Sequence, residues 1–546
     1  MLFSLPAGFK SYAARMIRLK LFYAEVKREH LITGAVLFCM LLVRISAVVA
    51  IHVFGSNGII YREEADPLIY LNGARAILAG GVNPFNFFPP LQFIFIASFL
   101  KISGGSTTAA LAAQAVVGWL TVMGIYLLAR ALFDRQTALL AVLISGLYPN
   151  LVFYGVNFYS ETLALFFIVF SFLMMQYYCV SFRTLYLLCA GVLWGLASLT
   201  RGGLHYFSLF MAFVVIASSY ERSGRWTVKP AGALLLSTFI TLVTVGIALS
   251  PVQGNFSLNS KSGIGSLVHG ANRITTSCAD YGDVRGNIFY IINRCEEQWP
   301  EGSQIYSNDL LESGTWHAGR VFLSFIAQEP ITYIKMSFRK LSCFWSPNQG
   351  VIHFLKTRSG RAAAFISGWL CAGIGLWYVI IVCCGICGIA LAGGPFRLLV
   401  IFFILFYCLL IFFTVGNSKL RLPLMPFFMI YATHCAVCCW TKRVAWRSLL
   451  SRVWVAGALL LLIGNSVYKY GEIALSPAEV QVRKVELCVR LGFPRTARFI
   501  LEGDGRRDYN ASQLERLNEA NERINTFLMK ERGGKDEPER RDRIQQ

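Results

Sequence analysis

The sequence predicts an all-α protein that crosses a membrane many times, and three observations predict it. Hydrophobic residues make up 55% of the chain against 15% charged, with a mean hydropathy of +0.53. Nearly uncharged runs of about 18 or more residues, long enough for a helix to cross a bilayer, recur along the chain. The basic residues gather in short loops between those runs, where they report orientation. A soluble domain cannot bury this much apolar surface, and a helix satisfies every backbone group within lipid.

The elements follow in order. Residues 1–30 carry Lys10, Arg15, Arg18, Lys20, Lys27 and Arg28. They read as a cytoplasmic basic amphipathic helix, because no small-residue cleavage site follows the first span. That span, Leu31–Phe54, leaves the cytoplasm. The first outer loop, 55–106, holds Arg62, Glu63, Glu64 and Asp66, then an amphipathic run from Pro67 to Ala79 and a turn ending in Pro89-Pro90. Leu91–Ile102 is short of the roughly 20 residues a span needs and reads as interfacial or re-entrant. Counting it as a span would put the later basic loops on the wrong side.

Thr107–Phe133, Ala138–Tyr154, Ser160–Val180, Leu185–Leu199, Leu204–Ser218 and Ala231–Leu249 complete a seven-span core over 31–250. An extracytoplasmic loop domain follows at 251–361, closing with a helical pattern from Trp316 to Phe344. Four further spans fill 362–470: Ala362–Leu391, Leu398–Val415, Leu422–Trp440 and Val453–Tyr468, for about 11 in all. The tail, 471–546, reads as soluble helices, one with Leu514, Leu517, Ile524 and Leu528 on one face, and a disordered end from Glu531. Span parity puts the tail outside, and splitting Ala362–Leu391 in two would move it inside.

Composition also excludes classes of function. A net charge of +21 in a soluble protein would suggest nucleic acid. Here the charge lies between spans, so the expected partners are anionic membrane lipids and not nucleic acid. Most of the 15 cysteines fall inside spans. Cys383, Cys384 and Cys387, with Cys435, Cys438 and Cys439, read as small apolar residues, because no His or carboxylate close in sequence completes a metal shell. Cys278 and Cys295 lie in the large loop, either as a disulfide contributing about 3 kcal/mol or as two thiols. No nucleotide-binding or zinc-peptidase motif occurs, and no cofactor is expected.

The order of motifs resembles the membrane-embedded GT-C glycosyltransferases, near the protein O-mannosyltransferases and the lipid A aminoarabinose transferase. Asp66-x-x-x-Tyr70-x-x-x-Ala74 with Gly80 stands where that family has its acidic residue and first interfacial helix. Pro89-Pro90-Leu91 opens the second. Tyr148-Pro149 with Ser160-Glu161, the run Gly195 to Arg201, Phe344-Trp345-Ser346-Pro347 and Arg421-Leu422-Pro423-Leu424-Met425-Pro426 follow in family order. Three features set this chain apart. Phe87 and Phe88 replace the Glu-Lys of the aminoarabinose transferase, whose Arg aligns with Ile69, and Asp66-Pro67 replaces the Asp-Glu of mannosyltransferases.

The resemblance implies a GT-C fold and a hexosyl- or pentosyltransferase of bacterial inner-membrane type. A polyprenyl-phosphate sugar would donate its glycosyl group, with inversion, to an envelope glycan, lipid or protein on the periplasmic face. Such a reaction needs a carboxylate to take the acceptor proton, cations for the departing phosphate and an apolar groove for the lipid.

Asp66 is expected as the base, held ionised by the helix start, although the same position suits an N-cap. Glu161 is the second acid, either functional or a headgroup-level residue capped by Ser160. Arg201, Lys419 and Arg421 fall at outer span ends against the positive-inside bias, where either the donor phosphate or ordinary headgroups explain them. Glu63 and Glu64 read either as solvated loop acids or, for one of them such as Glu64, as an acceptor contact, Tyr70 is expected at the substrate site, and His269 in a Gly-Asn-rich segment covers the site or is a plain turn. Two other classes compete. One is a lipid-linked sugar transporter or flippase, which predicts inverted repeats that the chain does not show. The other is an O-antigen-type polymerase or ligase with a diphosphate-linked donor.

Overall fold

A computed structural model describes residues 31–50, 66–85, 88–254, 267, 270, 315–348, 350–352, 361–441, 453–474, 477–502 and 509–544. Helix dominates these residues. The first helices are α1 (Leu31–Ala50), α2 (Asp66–Leu78), α3 (Leu91–Ile102) and α4 (Thr107–Leu132). Next come α5 (Arg135–Leu147), α6 (Pro149–Gly155), α7 (Ser160–Ser181), α8 (Thr184–Thr200), α9 (Ser208–Ser223) and α10 (Lys229–Gln253). After the large loop follow α11 (Thr315–Gln328), α12 (Pro330–Phe344), α13 (Arg361–Leu391), α14 (Pro395–Phe413), α15 (Met425–Trp440) and α16 (Val453–Ala474). The tail holds α17 (Pro477–Leu491), α18 (Pro494–Glu502) and α19 (Ala511–Ile544). Short 3-10 turns at Leu204–Phe207 and Ser418–Leu424 lead into α9 and α15.

Among the described residues, eight helices are long and apolar enough to cross a membrane, or nine if the bent pair α5–α6 counts as one span. The expected spans Leu185–Leu199 and Val453–Tyr468 correspond to shorter apolar helices, Thr184–Thr200 and Val455–Lys469. By length, therefore, the described residues do not confirm the expected eleven. The expected short helix at Leu91–Ile102 is present with those bounds.

The break between α5 and α6 shows how lipid disciplines the chain. The two halves meet at 59°, at Tyr148-Pro149. Proline has no N–H to give, so carbonyls at the end of α5 lose their helical donors, and within a membrane no water replaces them. Arg44 of α1, wholly buried, donates to the Gly146 carbonyl at 3.1 Å and to Met40 at 3.3 Å. Glycines set other close approaches. Gly385 and Gly388 on α13 lie against α15, where a Cβ at Gly388 would stand 1.9 Å from the Tyr431 carbonyl oxygen. Such small-residue faces let helices meet by backbone contact where lipid supplies no hydrophobic drive.

The main core runs through α4, α5, α7, α8, α9, α14 and α15, and includes Phe172, Trp194, Phe207, Phe403 and Phe427. A second core of Tyr70, Leu71, Phe93, Ile96, Leu111 and Phe158 fixes α2 and α3 to the ends of α4 and α7. Asn83, between α2 and α3, donates through Nδ2 to Gln253 Oε1 at 2.8 Å, and its backbone N–H donates to the Val252 carbonyl. The end of α10 is thereby tied to the interfacial pair.

The tail has its own core, with Val482, Val485, Phe493, Leu517 and Ile524. Arg516 reaches Glu486 at 2.7 Å and Glu479 at 3.1 Å. Of the residues read as sharing one face of α19, Leu517 and Ile524 are buried and Leu514 is exposed. The last helix runs past Glu531 to Ile544 where a disordered end was expected.

The contact of α13 with α15 leads to a test. Gly388→Leu forces the two backbones apart and should destabilise the protein by roughly 1–3 kcal/mol or more. Thermal melts in detergent would show this, while Gly457→Leu, in open space on α16, should leave the melt near wild type.

Candidate active site

Each charged side chain at one end of the bundle is delivered by the start or end of a helix. Asp66 begins α2. Glu161 is the second residue of α7, and Tyr159 occupies the cap position without a side-chain bond, so the cap expected from Ser160 is not formed. The Ser160 hydroxyl instead meets the Tyr70 hydroxyl. Arg201 caps the end of α8. Lys419 lies in the 3-10 turn before α15, whose start is held by Asn417 Oδ1 accepting from the Lys419 N–H at 2.8 Å.

The four charges form a chain. The Lys419 ammonium is in direct contact with the Asp66 carboxylate and 3.3 Å from Glu161 Oε1. Arg201 Nη1 donates to that same Oε1 at 2.7 Å. Exposure grades along it. The Asp66 side chain is 35% exposed and Lys419 22%, whereas Glu161 is 2% exposed. A buried carboxylate is tolerated only when paired, and Glu161 has two cations. Its other oxygen, Oε2, is buried without a hydrogen bond. Lys419 also stands 4.9 Å from the centre of the Tyr159 ring. Burial pushes the Tyr159 hydroxyl up to about 12 against the pull of Lys419, so it remains a neutral donor.

Asp66, Glu161, Arg201 and Lys419 are thus brought together from four stretches of sequence. Arg421 is not part of the chain. It is 2% exposed, and it donates to the carbonyls of Phe344 at 2.7 Å and Asn348 at 2.6 Å, with its guanidinium over Tyr378 at 3.9 Å. A planar fork of donors satisfies two carbonyls at the end of α12, which is why an arginine suits the position. Tyr70 lies beneath the site, buried against Phe93 and Phe88 with ring centres 4.8 and 5.6 Å away. Burial, then the charge of Asp66, raises its hydroxyl above the ordinary range.

Glu64, His269, Cys278 and Cys295 lie outside the described residues, as do Arg62 and Glu63. Cys343, on α12, is disulfide-bonded, a pairing that the sequence reading of Cys278 with Cys295 did not anticipate. Among the described residues no group of three His, Cys, Asp or Glu could hold a metal. Sequence reasoning missed Tyr159 and Tyr407. The signal for Tyr159 was its place beside Ser160-Glu161. Tyr407 carried no sequence signal, and only packing sets it near Arg201 and Glu161.

The strap that presents Lys419 is fastened by α12, which is not one of the apolar spans. The Phe412 carbonyl at the end of α14 accepts from Ser337 Oγ at 2.9 Å, and from Tyr333 Oη and Lys340 Nζ at 3.3 Å each. Gly416 follows so closely that a Cβ there would lie 2.6 Å from the Lys340 carbonyl oxygen. Lys340 is wholly buried.

Residues 88–247 match the family described as dolichyl-phosphate-mannose-protein mannosyltransferase, under a third of the chain. This bears out the resemblance drawn from the motifs. No curated protein matches. Among solved structures, the chain is similar to the Archaeoglobus fulgidus oligosaccharyltransferase in its apo form. The identity is 12% over 87% of this chain and 60% of that one, with a TM-score of 0.41. The archaeal oligosaccharyltransferase AglB from the same organism, in complex with an inhibitory peptide and a dolichol-phosphate, gives the same values. ArnT from Cupriavidus metallidurans in the apo state is 15% identical over 88% of this chain and 75% of that one, with a TM-score of 0.34. The chain spans about 60% of the length of the archaeal enzyme's chain.

Burial lowers the Lys340 ammonium to about 7, below its unfolded value of about 10.4. Below pH 7 the folded protein therefore keeps a buried charge, and that cost fades as pH rises from 7 to about 10.4, where both states become neutral. Lys340→Met should stabilise the protein at pH 6 by about 1–3 kcal/mol, with the gain lost by pH 10. Tyr333 and Ser337 still serve the Phe412 carbonyl. Melting curves across that range check it, and a gain that grows with pH would contradict the assignment.

Proposed function

We propose that the chain is a membrane glycosyltransferase that moves a sugar from a polyprenyl-phosphate donor to a cell-envelope glycan, lipid or protein. In this reading the reaction occurs at the extracytoplasmic face of an inner membrane and inverts the anomeric carbon. The observation that carries it is the chain Asp66–Lys419–Glu161–Arg201 at one end of an apolar bundle, with its acid most open to solvent at the free end. The description of the family matched by residues 88–247 supports a lipid-phosphate sugar as donor.

The roles follow from position. Asp66 accepts the proton of the acceptor hydroxyl or amine as its oxygen or nitrogen attacks C1. The C1–O bond to phosphate breaks, and the electron pair leaves on a phosphate oxygen. Lys419 has three N–H donors and gives two to carboxylates, which leaves one for that oxygen. Arg201 adds a second positive charge, held in place by Glu161. Glu161 is too buried to meet an acceptor and acts by keeping both cations oriented. The surrounding apolar wall lowers the dielectric and strengthens each of these interactions.

Asp66→Asn tests the reading. The amide keeps the shape and removes the proton acceptor, so transfer from a polyprenyl-monophosphate sugar should fall by about 100-fold or more, with expression and lipid binding retained. Turnover at the wild-type rate would remove Asp66 as base. Mass spectrometry of envelope glycolipids from cells with and without the protein would identify donor and acceptor.

A further inference from the structure

The turn between α6 and α7 delivers Tyr159, Ser160 and Glu161; it is held partly by its own bonds, from the Tyr159 N–H to the Asn157 carbonyl and from Asn157 Nδ2 to the Phe153 carbonyl, each at 2.7 Å, and partly from another helix. Because α6 ends at Gly155 and α7 begins at Ser160, the carbonyls at the end of α6 and in the turn lack the donor that a continuing helix would give, and the dry interior favours another. Gln114, two turns into α4 and wholly buried, supplies it. Its Nε2 donates to the Tyr154 carbonyl at 3.0 Å and also to the Asn157 carbonyl. Both partners are acceptors only, so the orientation of the amide is fixed. Its Oε1 accepts in turn from Gln92 Nε2 at 2.9 Å, and Gln92 is also wholly buried, one residue into α3. Thr162 Oγ1, on the far side of Glu161, donates to the same Tyr154 carbonyl at 2.8 Å.

These bonds close a circuit. Phe93, next to Gln92, packs on Tyr70 of α2, and the Tyr70 hydroxyl meets Ser160. Asp66 is four residues before Tyr70 on the same helix. The two carboxylates flanking Lys419 are thereby referenced to each other through α2, α3, Gln114 and the turn. Val156 and Phe158 are buried among apolar side chains, and the Val156 N–H donates to the Val152 carbonyl at 3.1 Å.

We propose that Gln114 is a positioning residue: by holding the Tyr154 and Asn157 carbonyls it places Glu161, and so sets the spacing of the two carboxylates around Lys419. It touches no substrate. A misplacement of about 1 Å at such a site costs on the order of 100-fold in rate.

The inference rests on the proposed glycosyl transfer for its kinetic arm, and a second arm needs no turnover. In the full chain reconstituted in lipid, Gln114→Leu should lower kcat by about 100-fold while KM for the donor changes by less than about 2-fold. Combined with Glu161→Gln it should add little, because both changes act through one group. Gln114→Asn keeps the amide but falls a methylene short, and should show the same pattern should the leucine variant fail to fold. In parallel, labelling of Lys419 by an amine-reactive reagent, read by mass spectrometry, should increase in the Asn variant as its carboxylates move. Lower melting temperature with wild-type kcat and unchanged labelling would overturn the proposal. Absence of transfer by the wild type would refute the glycosyltransferase reading, and the labelling would still decide the role of Gln114.

Discussion

An ammonium held between two carboxylates is the contact around which this molecule is arranged. Lys419 meets Asp66 on one side and Glu161 on the other, and Arg201 closes the far end. In an apolar bundle none of these charges is tolerated alone, because desolvation exceeds what stray dipoles return. Their assembly therefore constrains the ends of α2, α7, α8 and the turn before α15 together. A shift of any one element would leave an unpaired charge, so the folded state and the competent site are specified by the same set of contacts.

A second constraint comes from the backbone. Catalytic groups need helix ends, and helix ends inside or beside lipid expose polar groups. The structure meets this with donors borrowed across the bundle: Arg44 for the end of α5, Gln114 for the turn before α7, and Arg421 for the end of α12. Each is a buried polar side chain whose presence in an apolar run makes sense only once its partner carbonyl is known. Arg421 shows this best. Its position at the mouth of a span suggests a phosphate ligand, and its neighbours make it a brace.

Much of the architecture was legible because hydropathy and charge act locally. The short helix Leu91–Ile102 was readable from its length. Asp66, Glu161, Arg201 and Lys419 were readable as candidates because a charge beside a long apolar run is costly wherever the chain goes. The span count was less legible, since α8 and α16 are short and α5–α6 is broken by Pro149.

By itself, the sequence determined that this is a helical membrane protein, which segments can cross lipid, and which few charges demand an explanation. Those follow from transfer free energies that each residue carries with it. Only the tertiary structure decided who pairs with whom: that Lys419, 353 positions from Asp66, joins it while Arg421 does not, and that Gln114 on α4 serves a turn forty residues on. Pairing depends on distance in space, and no local property of a residue records that distance.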